Sequence, residues 1–360
     1  MAPELRPEQL PAPRASRMRD PVEVQVTAVF RELLGLKEIP NDRSFMDLGG
    51  HSLLALQLQD AIREELGREV PLAALFPDGT VAGITDALHR IPAEGRPQRL
   101  AELTTGGSPT VVCVHSILGT AMRYQTLAQA LSPGTTVKAF QAPGLLAGEE
   151  PCDSIALLTD QYAAELQARA EEIVLVGYSM GATIAYEMTR LLEARSVPVR
   201  SLVLVDSLLP VPEHLRRLGG EELTPLQMLA ASLGGGWDLR TFLGYDRQQG
   251  LERLYQESKA RALLPATFRV TDLERLLRVI EAHVRALAAY VPDPGPIEAD
   301  VTVCSIDRTG VPDDLWWREV TGKAVTRISV PGPHRELMDP PNVGIIAAAI
   351  QKASTIGAAS

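Results

Sequence analysis

Apolar positions follow two different rhythms along the chain. Early on they recur at helical spacing: Val22, Val26, Val29, Phe30, Leu33 and Leu34 form one stripe, and Leu54, Leu58, Ala61, Ile62 and Leu66 form a second. A loop through Pro40 and Asn41 separates them, and a third short helix is predicted from near Thr80 to His89. These elements predict a small all-α bundle with one long early loop. Past residue 109 the pattern changes to short β-branched runs at Thr110–Val114, Val137–Phe140, Ile173–Val176, Leu202–Val205, Val301–Ser305 and Val325–Val330. Helical stretches separate most of them, which predicts an α/β domain with a buried, mostly parallel sheet. The alternation fails between Ser207 and Pro294, where only helical patterns occur. One of these runs from Thr271 to Tyr290, with Thr271 and Glu274 as a predicted capping box and an apolar stripe of Leu273, Leu277, Ile280, Val284 and Leu287. A helical insertion in such a sheet is a candidate lid.

Proline and glycine divide the chain. Residues 1–21 read as a linker and resemble the tail of something upstream, which predicts a terminal or excised fragment. Residues 22–90 are the small helical domain, 91–108 a second linker, and 109–360 the α/β domain with its lid at about 207–294. The net charge of −10 argues against a nucleic-acid ligand. From Val22 to Arg90 there are six Lys/Arg against eleven Asp/Glu, an acidity suited to docking on basic surfaces. No run has the apolar length for a bilayer, and no signal peptide is recognisable. Cys113, Cys152 and Cys304 lie far apart without CxxC spacing. They suggest neither a metal site nor a disulfide framework, so a cytoplasmic location is expected.

Two serines carry the chemistry. In Asp47-Leu48-Gly49-Gly50-His51-Ser52-Leu53-Leu54-Ala55 the glycines release the backbone and Ser52 opens a helix. A hydroxyl there is exposed at the positive end of the helix dipole, which favours an attached phosphodiester. This segment, with its pattern from Phe45 to Leu58, resembles the peptidyl carrier domains of non-ribosomal peptide synthetases over roughly Val22 to Arg90. The resemblance implies that Ser52 carries 4′-phosphopantetheine, installed by a phosphopantetheinyl transferase. It also implies upstream condensation and adenylation domains as partners.

The second serine lies in Gly177-Tyr178-Ser179-Met180-Gly181, between the Ile173 strand and a helical run from Ala182 to Glu193. G-x-S-x-G between strand and helix is a nucleophile elbow, which lifts the Ser179 hydroxyl above an α/β-hydrolase sheet. Serine needs a base, and the base an orienting acid. Of the six histidines, His51 and His89 fall in the helical domain, His115 ends the first strand, His214 falls in the lid, and His283 lies near the apolar face of the Thr271 helix, where it reads as packed core. His334 follows the last strand in Pro331-Gly332-Pro333-His334 and is the candidate base. Asp206 and Asp307 each follow a strand, and the residues alone leave both open as the acid.

From Pro109 onward the chain resembles the terminal thioesterases of peptide and polyketide synthetases, through VVCVHSILG, FQAPGL, LVGYSMG, LVLVD and VPGPH. That resemblance implies Asp206 as the acid, with Asp307 as fallback. It also implies an oxyanion hole from the amides of Met180 and Ile117, and His115 as a structural residue. A glycine-poorer loop at Ile117-Leu118 departs from the family pattern. Together the two resemblances imply release of a carrier-bound acyl or peptidyl thioester by hydrolysis or macrocyclisation through an acyl-serine. An editing hydrolase that strips misprimed acyl groups and a carrier-fused inactive scaffold are the alternative readings.

Overall fold

The computed structural model describes residues 20–355 apart from 41, 76–78, 91–98, 132, 168–171, 208–222, 293–294 and 307–312. The helical domain opens with α1 (Pro21–Leu34), whose first turn is capped by Asp20 accepting from Val22 N at 2.9 Å. The helix therefore begins at the last residue of the segment read as linker. It is followed by α2 (Ser52–Leu66) and α3 (Val81–Arg90). Val26, Phe30, Phe45, Leu58, Ile62, Ile84 and Leu88 are buried between them. The long loop is fastened by Phe45, which meets Phe30 edge to face at 5.0 Å and accepts from Gly50 N at 2.9 Å. Gly50 must be glycine, because a Cβ there would lie 2.4 Å from the Phe45 ring.

The second domain is built on β1 (Leu100–Thr104), β2 (Gly107–Val114), β3 (Thr135–Phe140), β4 (Ile173–Tyr178), β5 (Val199–Val205), β6 (Asp300–Ser305) and β7 (Val325–Ser329). Their spatial order is β1-β3-β2-β4-β5-β6-β7. Every neighbouring pair is parallel except β1 with β3. β1 lies inside the segment read as the second linker: five residues with no β-branched side chain until Thr104 give little strand signal, and pairing with β3 makes the strand. The sheet is covered by α4 (Gln125–Ala130), α5 (Ile155–Gln167), α6 (Met180–Ala194), α10 (Asp313–Thr321) and α11 (Asn342–Thr355). The lid supplies α7 (Pro225–Ser232), α8 (Arg247–Ala260) and α9 (Val270–Ala289), and no strand among its described residues. It has its own core of Leu226, Leu229, Phe242, Leu251, Leu254, Phe268, Leu273 and Leu277.

The cap of α9 differs from the predicted one. The helix starts at Val270, and Asp272 closes its first turn by accepting from Arg269 N at 2.9 Å. Thr271 is inside the helix, and Asp272 takes the capping role because a second set of contacts, described below, fixes its carboxylate.

Candidate active site

Adjacent strand ends place Ser179 and Asp206 side by side. Tyr178 pairs with Val205 across β4 and β5, and Ser179 N donates to Val205 O at 2.9 Å. Each strand then leaves the sheet through a residue in the left-handed region: Ser179 at φ 57°, Asp206 at φ 44°. Such backbone is costly for a side-chain-bearing residue and persists only where its surroundings enforce it. At the elbow the enforcement is close packing. A Cβ on Gly177 would lie 2.4 Å from Ala182 Cα, and one on Gly181 would lie 2.2 Å from Val114 O. Both glycines thus let α6 seat directly against β2 and β4, aiming its N-terminus at the elbow.

The Asp206 side chain is fully buried and accepts from His334 Nδ1 at 2.5 Å and from Ile306 N at 3.4 Å. The structure thus joins the candidate acid and base across 128 positions of sequence. Asp307 and His214 lie outside the described residues. His334 is held from a second side. Tyr178, immediately before Ser179, stacks on its ring with centroids 5.0 Å apart and donates its hydroxyl to the His334 carbonyl at 2.7 Å. Burial pushes the Tyr178 phenol up to about 12, so it stays protonated and able to donate. Tyr124 pins this tyrosine in turn, accepting from Tyr178 N at 3.1 Å and donating to Val114 O at 2.6 Å. No hydrogen bond joins Ser179 Oγ to His334 among the described residues. Nucleophile–base bonds of this kind are commonly long before substrate arrives and tighten with it.

The amides of Ile117 and Met180 donate to no described group. Met180 N is the first amide of α6, which has no intrahelical acceptor. Two such amides on the loop after β2 and at the head of α6 can stabilise an oxygen that becomes negative beside Ser179.

Ser52 sits at the first position of α2, with His51 as the N-cap, and its hydroxyl makes no hydrogen bond to a described residue. It is therefore not a capping serine. It lines a cleft of about 660 Å³ that also touches Leu118, Thr120, Met122, Leu229 and Ile280. That cleft begins at the free hydroxyl and reaches the loop bearing Ile117; Ser179 and His334 do not line it. A recess of about 710 Å³ between α5, α6 and the end of α9 contains none of the site residues. The chemistry therefore points to the smaller cleft. A helix N-terminus, a hydroxyl bonded to no described residue and a roomy cleft reaching the loop after β2 together fit a phosphopantetheine arm.

A polar clasp, not foreseen from the sequence, closes the carrier against the lid. Gln57 Nε2 donates to Asp272 at 3.1 Å and to Thr267 O at 3.2 Å, and Thr267 donates back to Gln57 Oε1 at 2.9 Å. Arg275 bridges Asp60 at 2.5 Å and Asp272 at 2.6 Å, and Ala147 N donates to Asp60 at 2.8 Å. Leu56 packs beside them against Ala142, Leu145, Leu146 and Val279. Gln57 and Asp60 are buried here although a free-standing three-helix bundle has no need to bury them.

The family described as thioesterase domain matches residues 109–353, and that described as phosphopantetheine attachment site matches residues 24–88. A dimodular nonribosomal peptide synthase of Bacillus subtilis is 30% identical over 258 residues, covering 69% of this chain and 11% of that protein. The chain thus spans about a tenth of that relative's length. A holo four-domain nonribosomal peptide synthetase crystallised with AMP and glycine superposes with a TM-score of 0.65 at 26% identity. The match covers 94% of this chain and 26% of that one, so both domains have counterparts there. The Vlm2 thioesterase domain superposes with a TM-score of 0.53 at 23% identity, over 70% of this chain and 96% of that one, a likeness of fold. No helix among the described residues is long and apolar enough to cross a membrane.

Proposed function

From the premise that the chain belongs to the thioesterase domain family and carries a phosphopantetheine attachment domain ahead of it, we propose that it releases acyl or peptidyl chains from its own carrier through an acyl-Ser179 intermediate. The observation that carries this reading is the Asp206–His334 pair held beside the strained Ser179, with Ser52 opening into a cleft that reaches the loop bearing Ile117. Ser52 is the attachment serine, and the arm supplies a thiol on which the substrate arrives as a thioester.

Ser179 Oγ attacks the thioester carbonyl while His334 Nε2 takes its proton. Asp206 keeps the Nδ1 proton of His334 fixed and stabilises the imidazolium that forms. The amides of Met180 and Ile117 receive the carbonyl oxygen as it becomes negative. The carbon–sulfur bond then breaks, and His334 returns the proton to the departing sulfur. An ester on Ser179 remains. In the second half, His334 deprotonates water or an internal hydroxyl or amine of the substrate. That nucleophile attacks the ester carbonyl, the bond to Ser179 Oγ breaks, and His334 returns the proton to that oxygen, giving a free acid or a macrocycle. Upstream synthetase domains supply the substrate. Holding carrier and elbow in one chain raises the effective concentration of substrate, so a weak docking contact suffices.

Intact-protein mass spectrometry tests the reading. Loading from a synthetic acyl-coenzyme A by a phosphopantetheinyl transferase, with 3′,5′-ADP leaving, is expected to modify Ser52. Ser179→Ala is expected to leave the acyl group stranded there. Release from Ser179→Ala at the unaltered rate refutes the proposal.

A further inference from the structure

Two buried histidines outside the proposed triad converge on the oxyanion loop. His115 at the end of β2 and His283 on α9 are fully buried and stacked, with ring centroids 5.1 Å apart and planes 13° from parallel. His115 Nδ1 donates to Ser116 O at 2.9 Å, and His283 Nδ1 donates to Ile117 O at 2.7 Å. We infer that His115 and His283 are positioning residues for the release reaction: together they fix the two consecutive peptide planes, Ser116–Ile117 and Ile117–Leu118, that aim the Ile117 amide at the developing oxyanion. This rests on the proposed role of the Ile117 amide.

The argument is one of peptide geometry. A peptide unit is planar, so holding its carbonyl oxygen fixes the direction of the N–H on the other side. The carbonyl partner of the Ile117 N–H is Ser116 O, which His115 and Gly119 N both grip, each at 2.9 Å. The next carbonyl, Ile117 O, is gripped by His283 from the lid. An amide with no acceptor among the described residues is aimed only by the carbonyls beside it, and misaimed donors forfeit much of their effect.

The proton positions follow from the partners. Each Nδ1 faces a carbonyl and must carry the hydrogen, so Tyr162 donates its hydroxyl to His115 Nε2 at 2.8 Å. Both rings are then neutral, as stacking demands. Burial pushes His115 down to about 3 and His283 down to about 4, so neither gains charge near neutral pH. Gly119 permits the approach of α9: a Cβ there would lie 2.9 Å from Ala142 Cβ and 3.1 Å from Val279.

The test uses the full chain with a soluble acyl-pantetheine thioester, and follows fluorophosphonate labelling of Ser179 in parallel. His283→Phe keeps a stacked ring and removes the donor. It is expected to lower kcat about 10- to 100-fold while KM stays within about twofold, because the lost interaction belongs to the transition state. His283→Asn, whose amide nitrogen falls near the Nδ1 position, is expected to restore most of the rate, and His283→Gln, which reaches towards Nε2, is not. A folded His283→Phe protein with unaltered kcat overturns the inference. Equal rates for the Asn and Gln variants overturn it too, and that comparison stands even where the Phe variant does not fold. Failure of the unaltered chain to label at Ser179 overturns the release reaction itself. Normal labelling with insensitive His283 variants overturns only the positioning role.

Discussion

Replacing Arg275 by alanine leaves Asp60 without its cation, and Asp272 with Arg269 at 3.9 Å, inside the carrier–lid contact. The side chains of Asp60 and Asp272 are 8% and 5% exposed, and Arg275 is 17% exposed, so little solvent remains to screen them. Removing one partner of a buried pair costs about 3–5 kcal/mol, because the remaining charge stays buried and unpaired. Here the chain has an escape that a core residue lacks: the carrier can leave the lid and let water reach both carboxylates. The cost therefore falls on docking, and about 3 kcal/mol is roughly a hundredfold in the docked population. Transfer from the chain's own carrier is expected to slow by up to about that factor, while hydrolysis of a soluble acyl-pantetheine keeps its rate. Acid should reverse part of the defect. Burial holds the Asp60 carboxyl above its usual range, outweighing the Ala147 amide and Arg275. Its ionisation therefore opposes docking, which is strongest below the undocked value and weakens as pH rises through the docked one. Loss of Arg275 raises the docked value further, so energy transfer between dyes on the two domains should recover on acidification more steeply than in the unaltered chain. Arg275→Ala chains that deliver from Ser52 at the unaltered rate refute the reasoning.

Other substitutions probe separate parts of the site. Asp206→Asn is expected to reduce kcat by about 10⁴-fold in steady-state assays, because His334 loses the partner that fixes its tautomer. Tyr178→Phe keeps the stacked ring but deletes the bond to the His334 carbonyl, so a loss of about 1 kcal/mol, read as a several-fold drop in kcat, is expected. Gly181→Ala forces a methyl to within 2.2 Å of Val114 O; calorimetry should show a large fall in Tm or no folded protein. Ser52→Ala removes a hydroxyl that bonds to no described residue, so its melting should match the unaltered chain while the mass shift on phosphopantetheinylation disappears.

The elbow was legible because local chemistry dictates it: a strand, two glycines in forced contact and a helix follow each other within a few residues. The Asp206–His334 pair was legible only as chain order plus resemblance, since nothing near either residue specifies a contact across 128 positions. β1 was not legible, because its pairing with β3 supplies what its five residues lack. Nor was the clasp: Gln57 and Asp60 look like solvated helix positions until α9 is set against them. His283 was placed correctly in packed core, yet periodicity says nothing about the carbonyl its Nδ1 meets.

One stripe of α9 meets the carrier through Asp272 and Arg275, and another meets the loop after β2 through His283. Exchanging the carrier for a foreign one therefore changes more than an attachment point. An incoming domain with an apolar residue in place of Asp60 would take from Arg275 one of its two carboxylates and from the Ala147 amide its acceptor. Swapped assemblies should thus be cut upstream of residue 20, so that both halves of this contact travel together.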